Sequence, residues 1–162
     1  MIADILPYIG SYDDVRALLG VPDDELYDET LALTLYKDHL TLVLSLTEGT
    51  YPAGGSAQTL QEIFDGLTNT DKMYSAIRRY STYAVADCVA GALPMIGVKT
   101  KSDGKSNVTR HSAESVYQDT VKSIKIGLSG SLKIIQDYLE EDAEEGVLMA
   151  VVPPTSDILT EY

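Results

Sequence analysis

The side chains best suited to chemistry in this sequence are carboxylates, which occur as adjacent pairs near its start. Asp13–Asp14 and Asp23–Asp24 could act as general acid and base if the fold paired them in one pocket. The same pairs follow Ser11 and Pro22, positions at which negative charge stabilises the first turn of a helix. Because no nucleophile accompanies them, helix starts are the favoured interpretation.

Other short segments resemble known reactive motifs, but each lacks a residue or partner that the motif requires. DGKS (103–106) lacks the earlier glycine that a phosphate-binding loop requires. His39 and His111 have no second histidine or cysteine at metal-binding spacing, so each is interpreted as a surface or half-buried side chain. Cys88 lies on an apolar stripe and is interpreted as an inert thiol. GLSGS (127–131) has serine where a nucleophile elbow needs its last glycine. We therefore expect no catalytic residue, no metal and no cofactor.

Composition and charge describe an acidic chain of single-domain size. It has 162 residues, of which 44% are apolar and 23% charged, and a net charge of −13. Residues 1–50 carry ten acids and two bases, residues 94–138 four acids and seven bases, and residues 139–162 seven acids and no base. Acidic ends thus flank a mildly basic middle, which disfavours sustained binding to nucleic-acid phosphates.

Cellular location can be inferred from three further features of the sequence. A single cysteine excludes an internal disulfide and fits a reducing compartment. The first ten residues lack the basic segment and long apolar core of an export signal. There is no run of about 18 apolar residues, the length that spans a bilayer. We expect a protein that is made in the cytoplasm and does not enter a membrane.

The elements that position the acidic pairs are helices. Ser11 and Asp14 have capping-box spacing, and Gly20 can adopt the left-handed conformation that ends a helix. In LALTLYKDHLTLVLSLT (31–47) the leucines alternate as in a strand, but leucine is a helix former and no turn interrupts the run. We therefore predict a helix over about residues 24–48 that is packed on several sides, followed by a loop over residues 47–56.

Two further helical segments complete the predicted bundle. Ser56 begins a short helix through Leu67, and the capping spacing of Thr68 with Asp71 begins a longer one that Pro94 stops. The last helix starts after Ser112 and carries its apolar stripe to about residue 139. Gly127 and Gly130 lie inside it, and they indicate either a close backbone contact with a neighbour or a local break.

Two non-helical segments flank the last helix. Residues 94–112 predict an exposed β-hairpin that turns at a favoured Asp-Gly pair, with cationic arms. Its candidate contact residues are Lys99, Lys101, Asp103, Gly104, Lys105 and Arg110. Residues 143–162 are apolar but contain two prolines, which predicts an extended C-terminal arm that binds a partner. Its candidate binding residues are Val147, Leu148, Met149, Val151, Val152, Pro153, Pro154, Ile158 and Leu159.

The predicted fold is therefore mainly α: a small helical bundle over residues 1–142 with a protruding β-hairpin, and an extended C-terminal arm over residues 143–162. In this order of elements the chain resembles the head-to-tail adaptor (connector, or head completion) proteins of tailed double-stranded DNA bacteriophages. The specific part of the resemblance is YDDVRALLGVPDDELYDETL (12–31), which is similar to that family's short helix, LLG stop, acidic linker and long leucine helix. VKTKSDGKSNVTRHS (98–112) and the helix after it resemble the family's protruding hairpin.

The resemblance implies a structural virion protein rather than an enzyme. It implies a ring of about twelve copies that repeats one heterologous contact, docks on the portal ring at the head–tail interface, and receives the next tail component (a stopper, nozzle or tail terminator). Double-stranded DNA would pass through the channel without specific binding. Carboxylates repel phosphates, so acidic residues suit the lumen. The candidate lumen acids are Asp13, Asp14, Asp23, Asp24 and Glu25.

Two other functions remain open at the level of sequence. A generic helical protein–protein interaction module would have the same amphipathic helices. A small enzyme could use one of the acidic pairs, Asp13–Asp14 or Asp23–Asp24. Copy number, tail type, host and the surface that faces the portal are also left open.

Overall fold

The chain is mainly α-helical, as the sequence predicts, in a computed structural model that describes residues 2–46, 48–50, 56–96 and 113–141. Within these ranges there are seven helices and one pair of short strands. In chain order they are α1 (Leu6–Ile9), α2 (Tyr12–Leu19), α3 (Asp28–Leu31), α4 (Thr34–Ser45), β1 (Glu48–Thr50), β2 (Ala57–Thr59), α5 (Leu60–Gly66), α6 (Lys72–Ile96) and α7 (Ala113–Glu141). No helix of the described ranges combines the length and apolar character needed to cross a bilayer.

Helix α6 is the central element, because α1, α2, α4, α5 and α7 all pack against it. Apolar and small side chains are buried around much of its circumference, which is typical of a helix enclosed by others. The predicted stripe on α6 is buried at Met73, Ile77, Tyr80 and Ala84, while Cys88 is half-buried. Helices α4 and α7 both lie on α6 and share little contact with each other.

Helix α2 forms as its sequence predicts, whereas α1 was not predicted. The Ser11 side-chain oxygen accepts a hydrogen bond from the Asp14 backbone N–H at 3.1 Å, which satisfies one exposed donor at the start of α2. Gly20 ends α2 in the left-handed conformation, with φ of 66°. The Thr82 hydroxyl of α6 donates to the Ile9 carbonyl at 2.9 Å, and this buried bond fixes the end of α1 on the core.

The long helix predicted over residues 24–48 is wrong, because the chain breaks between α3 and α4. Leu33 is extended, with φ of −60° and ψ of 146°. Leu31 and Tyr36 are both buried, yet five residues of continuous helix would place them about 140° apart around its axis. The break lets both side chains face the core, and a periodicity of leucines alone does not reveal it.

The loop predicted over residues 47–56 is also wrong in part. Residues 48–50 form β1, which pairs antiparallel with β2 in the register Glu48 to Thr59. Strands of three residues are too short to show an alternating pattern. Helix α5 then begins after Thr59 rather than at Ser56, because Thr59 and Glu62 form a reciprocal capping box.

Thr68 and Asp71 interact, but not as the predicted capping box. The Asp71 carboxylate accepts from the Thr68 backbone N–H and hydroxyl, both at 2.8 Å, whereas a capping box also needs the hydroxyl to accept from a backbone N–H. Helix α6 starts at Lys72, one residue after Asp71. The pair therefore closes the turn that leads into the helix.

Pro94 does not stop α6, which continues to Ile96. Proline has no N–H to donate to the carbonyl four residues earlier, here that of Ala90. The Tyr117 hydroxyl of α7 donates to this carbonyl at 2.5 Å instead. The hairpin predicted over residues 94–112 is thus wrong at residues 94–96, and its remainder lies outside the described residues.

Candidate interaction surfaces

The acidic cluster at the start of the chain is organised by one buried arginine. The Arg16 Nε donates to the Leu26 carbonyl at 2.7 Å, one terminal nitrogen pairs with Asp13 at 2.7 Å, and the other pairs with Asp28. Hydrogen bonding to Asp28, followed by that to Asp13, raises the pKa of the Arg16 guanidinium. The cluster fastens α2 to the turn before α3, which is a structural role.

All five candidate lumen acids are exposed on the surface of the chain. They lie at the start of α2 and in the turn that precedes α3: Asp13, Asp14, Asp23, Asp24 and Glu25. Only Asp13 is engaged in an ion pair, and within the described residues no second carboxylate shares a buried pocket with any of them. Exposure of this kind suits solvation and repulsion of anions better than proton transfer between paired carboxyl groups.

The histidine and the thiol within the described ranges are in surroundings that do not activate them. Burial lowers the pKa of His39, while Asp87 and a hydrogen bond with the Ala84 backbone oppose that shift. Burial raises the pKa of the Cys88 thiol, and Asp87 raises it further, so the reactive thiolate is disfavoured. Among the described residues no cluster of histidine, cysteine and carboxylate side chains could hold a metal ion.

The serines of GLSGS also have no catalytic arrangement. Ser129 donates to the Lys125 carbonyl at 3.0 Å and Ser131 to the Gly127 carbonyl at 2.8 Å. Both are bonds to the preceding helical turn, which is the usual partner of a serine within a helix. The motif lies in the middle of α7, with no turn to expose a nucleophile.

An apolar surface that no described element covers lies along α4. Leu35, Leu42 and Leu46 are 61%, 56% and 52% exposed, and their spacing of seven and four residues places them on one side of the helix. We call these three residues the leucine stripe. The opposite side of α4 buries Tyr36, Leu40 and Leu44. The sequence predicted that α4 would be packed on several sides, but within the described part of the chain only one side is covered.

A second apolar surface lies on the outward side of α7. An open groove of about 800 Å³ runs from Tyr117 to Lys133 and contains Ile126, which is 64% exposed. We call it the lysine groove, because its described lining includes Lys122, Lys125 and Lys133 but no carboxylate. The lysine stems can cover apolar surface while their ammonium groups stay in water.

The two glycines of α7 have different surroundings, and α7 is unbroken at both. A Cβ on Gly127 would lie 2.3 to 2.8 Å from ring atoms of Tyr83, so glycine permits the close packing of α6 on α7. A Cβ on Gly130 would meet nothing within 4 Å. The question left open by the sequence is thus answered for Gly127 by contact inside the chain, whereas Gly130 lies in the lysine groove.

A smaller groove of about 570 Å³ lies where α1 and α2 meet α6. Ser11, Asp14, Arg78 and Arg79 contribute to its lining. Among the described residues, the buried Arg78 Nε has no hydrogen-bond partner. No pattern in the sequence predicts this groove, because its residues come from three helices and share no motif.

The remaining predicted site residues lie outside the described residues. These are the hairpin contacts Lys99, Lys101, Asp103, Gly104, Lys105 and Arg110, and the binding residues of the arm, Val147 to Leu159. Comparisons with protein-family models, with characterised proteins and with solved structures give no match to the chain.

Proposed function

We propose that this protein is a structural subunit of a head-to-tail adaptor ring in a tailed bacteriophage. The proposal starts from the resemblance of residues 12–31 to that family. In this proposal the ring docks on the portal, receives the next tail component, and leaves a channel for DNA. The chain has no catalytic role of its own.

The observation that carries the proposal is the leucine stripe on α4. Three large apolar side chains are more than half exposed on α4, which lies inside the segment predicted as one long leucine helix, while the core beneath it is well packed. An exposed apolar stripe on a stable helix is typical of a protein that works in an assembly. A monomer that acted alone would gain nothing from it.

The acidic surface fits a subunit that lines a DNA channel. In the proposed ring, Asp13, Asp14, Asp23, Asp24 and Glu25 face the lumen, where carboxylates repel the sliding duplex. In this proposal, residues 97–112 and 143–162 contact the portal, the next tail component or an adjacent copy. A particle in which these acids covered the outer wall, around a basic lumen, would contradict this arrangement.

A generic helical interaction module is the second candidate, because the same two apolar surfaces would also serve an unrelated partner. The portal distinguishes the two functions. Purified full-length protein is mixed with the portal ring encoded by the same genome, and complex formation is measured by mass photometry. We expect one size shift that corresponds to a closed ring on each portal, and a particle map with rotationally repeated copies at the portal vertex. Absence of the chain from that vertex would refute the proposed function.

A further inference from the structure

We propose that the leucine stripe of one copy docks in the lysine groove of the next copy. Such a contact joins two different surfaces of identical chains, so it is heterologous and can repeat around a ring. The inference rests on the proposed function only for closure into a ring. The contact itself is a property of the purified chain and is tested on it.

The leucine stripe is short enough to fit within the length of the lysine groove. The leucine stripe covers residues 35–46, about 17 Å of helix, and the lysine groove covers residues 117–133, about 24 Å. Ridges of side chains on the surface of one helix can pack between the side chains of another helix. The stripe can therefore lie along the groove over its whole length.

Charge favours pairing the stripe with the groove rather than with itself. Asp38 is exposed within the stripe, three residues after Leu35 and four before Leu42. The groove has three lysines and, among its described lining residues, no carboxylate. Pairing two grooves would bring six lysines together, and pairing two stripes would oppose two aspartates. The heterologous pairing places Asp38 against lysines, and both self-pairings are penalised by like charge.

Gly130 gives an independent indication that something packs in the groove. Glycine inside a helix is less favourable than alanine by up to about 1 kcal/mol. No described atom of the chain lies within 4 Å of a Cβ at this position, so contacts within the chain do not require glycine there. A leucine side chain from a neighbouring helix would use that space.

One such contact is expected to be weak between two isolated copies. A single pair of helices buries less surface than the roughly 1,200 Å² typical of stable complexes. In a closed ring each copy is held on two sides, and the contacts strengthen one another through effective concentration. Free chains thus associate only at high concentration, whereas copies collected on a template assemble.

The test uses two full-length variants, each with one surface disabled. Leu42→Asp places a charge in the stripe, and Ile126→Asp places one in the groove. Both positions are more than half exposed, and Leu42→Gln and Ile126→Gln serve as milder versions if either aspartate variant does not fold. Sedimentation equilibrium at 150 mM salt measures the mass up to about 1 mM protein.

We expect concentration-dependent association of the natural chain and monomers for each variant alone. Their mixture should form one-to-one dimers and nothing larger, because only one stripe and one groove remain usable. A natural chain that is monomeric throughout would overturn the inference. So would a Leu42→Asp variant that associates as well as the natural chain, which would leave the groove to another occupant such as residues 143–162. A mixture that contains only monomers would also overturn it.

Gly130→Gln separates docking from folding, with Gly91→Gln as its control. Both glycines are exposed in helices, and a Cβ atom at either position would have no contact within 4 Å. Each variant should melt about 2–4 °C higher, because glutamine is the better helix former. Only Gly130→Gln should weaken self-association, by about tenfold, since its side chain fills the groove. Equal association of the two variants would remove Gly130 from the interface and overturn this part of the inference.

Discussion

At the scale of single residues, two side chains donate to backbone carbonyls at irregular points of the fold, near the end of α6 and at the turn before α3. Tyr117 supplies the donor that Pro94 lacks, and the guanidinium of Arg16 binds the carbonyl of Leu26 at the turn before α3. A buried carbonyl without a donor costs about 1–3 kcal/mol. These two side chains therefore determine where α6 can continue and where α2 is joined to α3.

Tyr117→Phe should destabilise the fold by about 1 kcal/mol, because the Ala90 carbonyl loses its donor in a buried position. Pro94→Ala restores a backbone N–H at the position that can reach the same carbonyl. In the Pro94→Ala background the tyrosine change should cost less than half as much. Urea unfolding of the two single variants and the double variant measures the difference. An equal cost in both backgrounds would show that the hydroxyl does not compensate for the proline.

Stability should fall in alkali partly because of Tyr8. Its hydroxyl donates to Asp65 at 2.7 Å, and burial, followed by this carboxylate, raises the pKa of Tyr8 to about 12. In the unfolded chain the Tyr8 hydroxyl ionises near pH 10. Its stabilisation of the folded state is therefore complete below pH 10 and is lost as the pH rises toward 12. Tyr8→Phe should reduce the loss of unfolding free energy between pH 9 and 11 by about 1 kcal/mol. Burial also raises the pKa values of Tyr12 and Tyr36. The unfolding free energy of the Tyr8→Phe variant should therefore still fall with rising pH, but less steeply. The same slope in both proteins would contradict the assignment.

At the scale of elements, a feature could be predicted when one helix carried the whole pattern. Helices α6 and α7 each show a long apolar period, and α2 has both of its end signals, so all three were predicted. The break between α3 and α4 follows from where Leu31 and Tyr36 must point in the core, which a single run of leucines does not contain. The sequence identifies the candidate lumen acids, but it does not show where on the folded chain they lie. The lysine groove does not follow from the net charge of residues 94–138, because that charge does not show which lysines lie on the same side of α7.

Gly127→Ala and Gly130→Ala should change stability in opposite directions. At residue 127 the new methyl group overlaps the Tyr83 ring, and separating α6 from α7 should cost about 1–3 kcal/mol. At residue 130 the methyl group has open space, and better helix propensity should add up to about 1 kcal/mol. Thermal unfolding of the two variants under identical conditions checks the signs. Stabilisation by Gly127→Ala would mean that the Tyr83 ring moves aside at little cost.

At the scale of the whole molecule, charge and apolar surface are distributed as a repeating assembly requires. Asp38 lies within the leucine stripe, and Lys122, Lys125 and Lys133 line the lysine groove. One chain thus has two different apolar surfaces with opposite charge, separated by α6. A net charge of −13 makes free copies repel one another. Salt at about 0.1 M screens exposed charges beyond about 10 Å and so weakens this repulsion, and a template adds a high effective concentration.

Truncation after Glu145 tests whether residues 143–162 dock on the portal or an adjacent copy. The buried core that the structure describes ends at Leu139, so the shortened chain should keep its helical circular dichroism and melt within about 2 °C of the full chain. Its binding to the portal should weaken by at least tenfold, or about 1.4 kcal/mol, because seven large apolar side chains of the arm are lost. Truncation after Leu159, which retains all seven, is the matched control and should bind as the full chain does. Ordering the arm costs about 1 kcal/mol per residue, so only burial of those side chains in a partner can offset it. A shortened chain that unfolds would instead assign the arm to its own core, and one that assembles as well as the full chain would show that the arm is not a docking element.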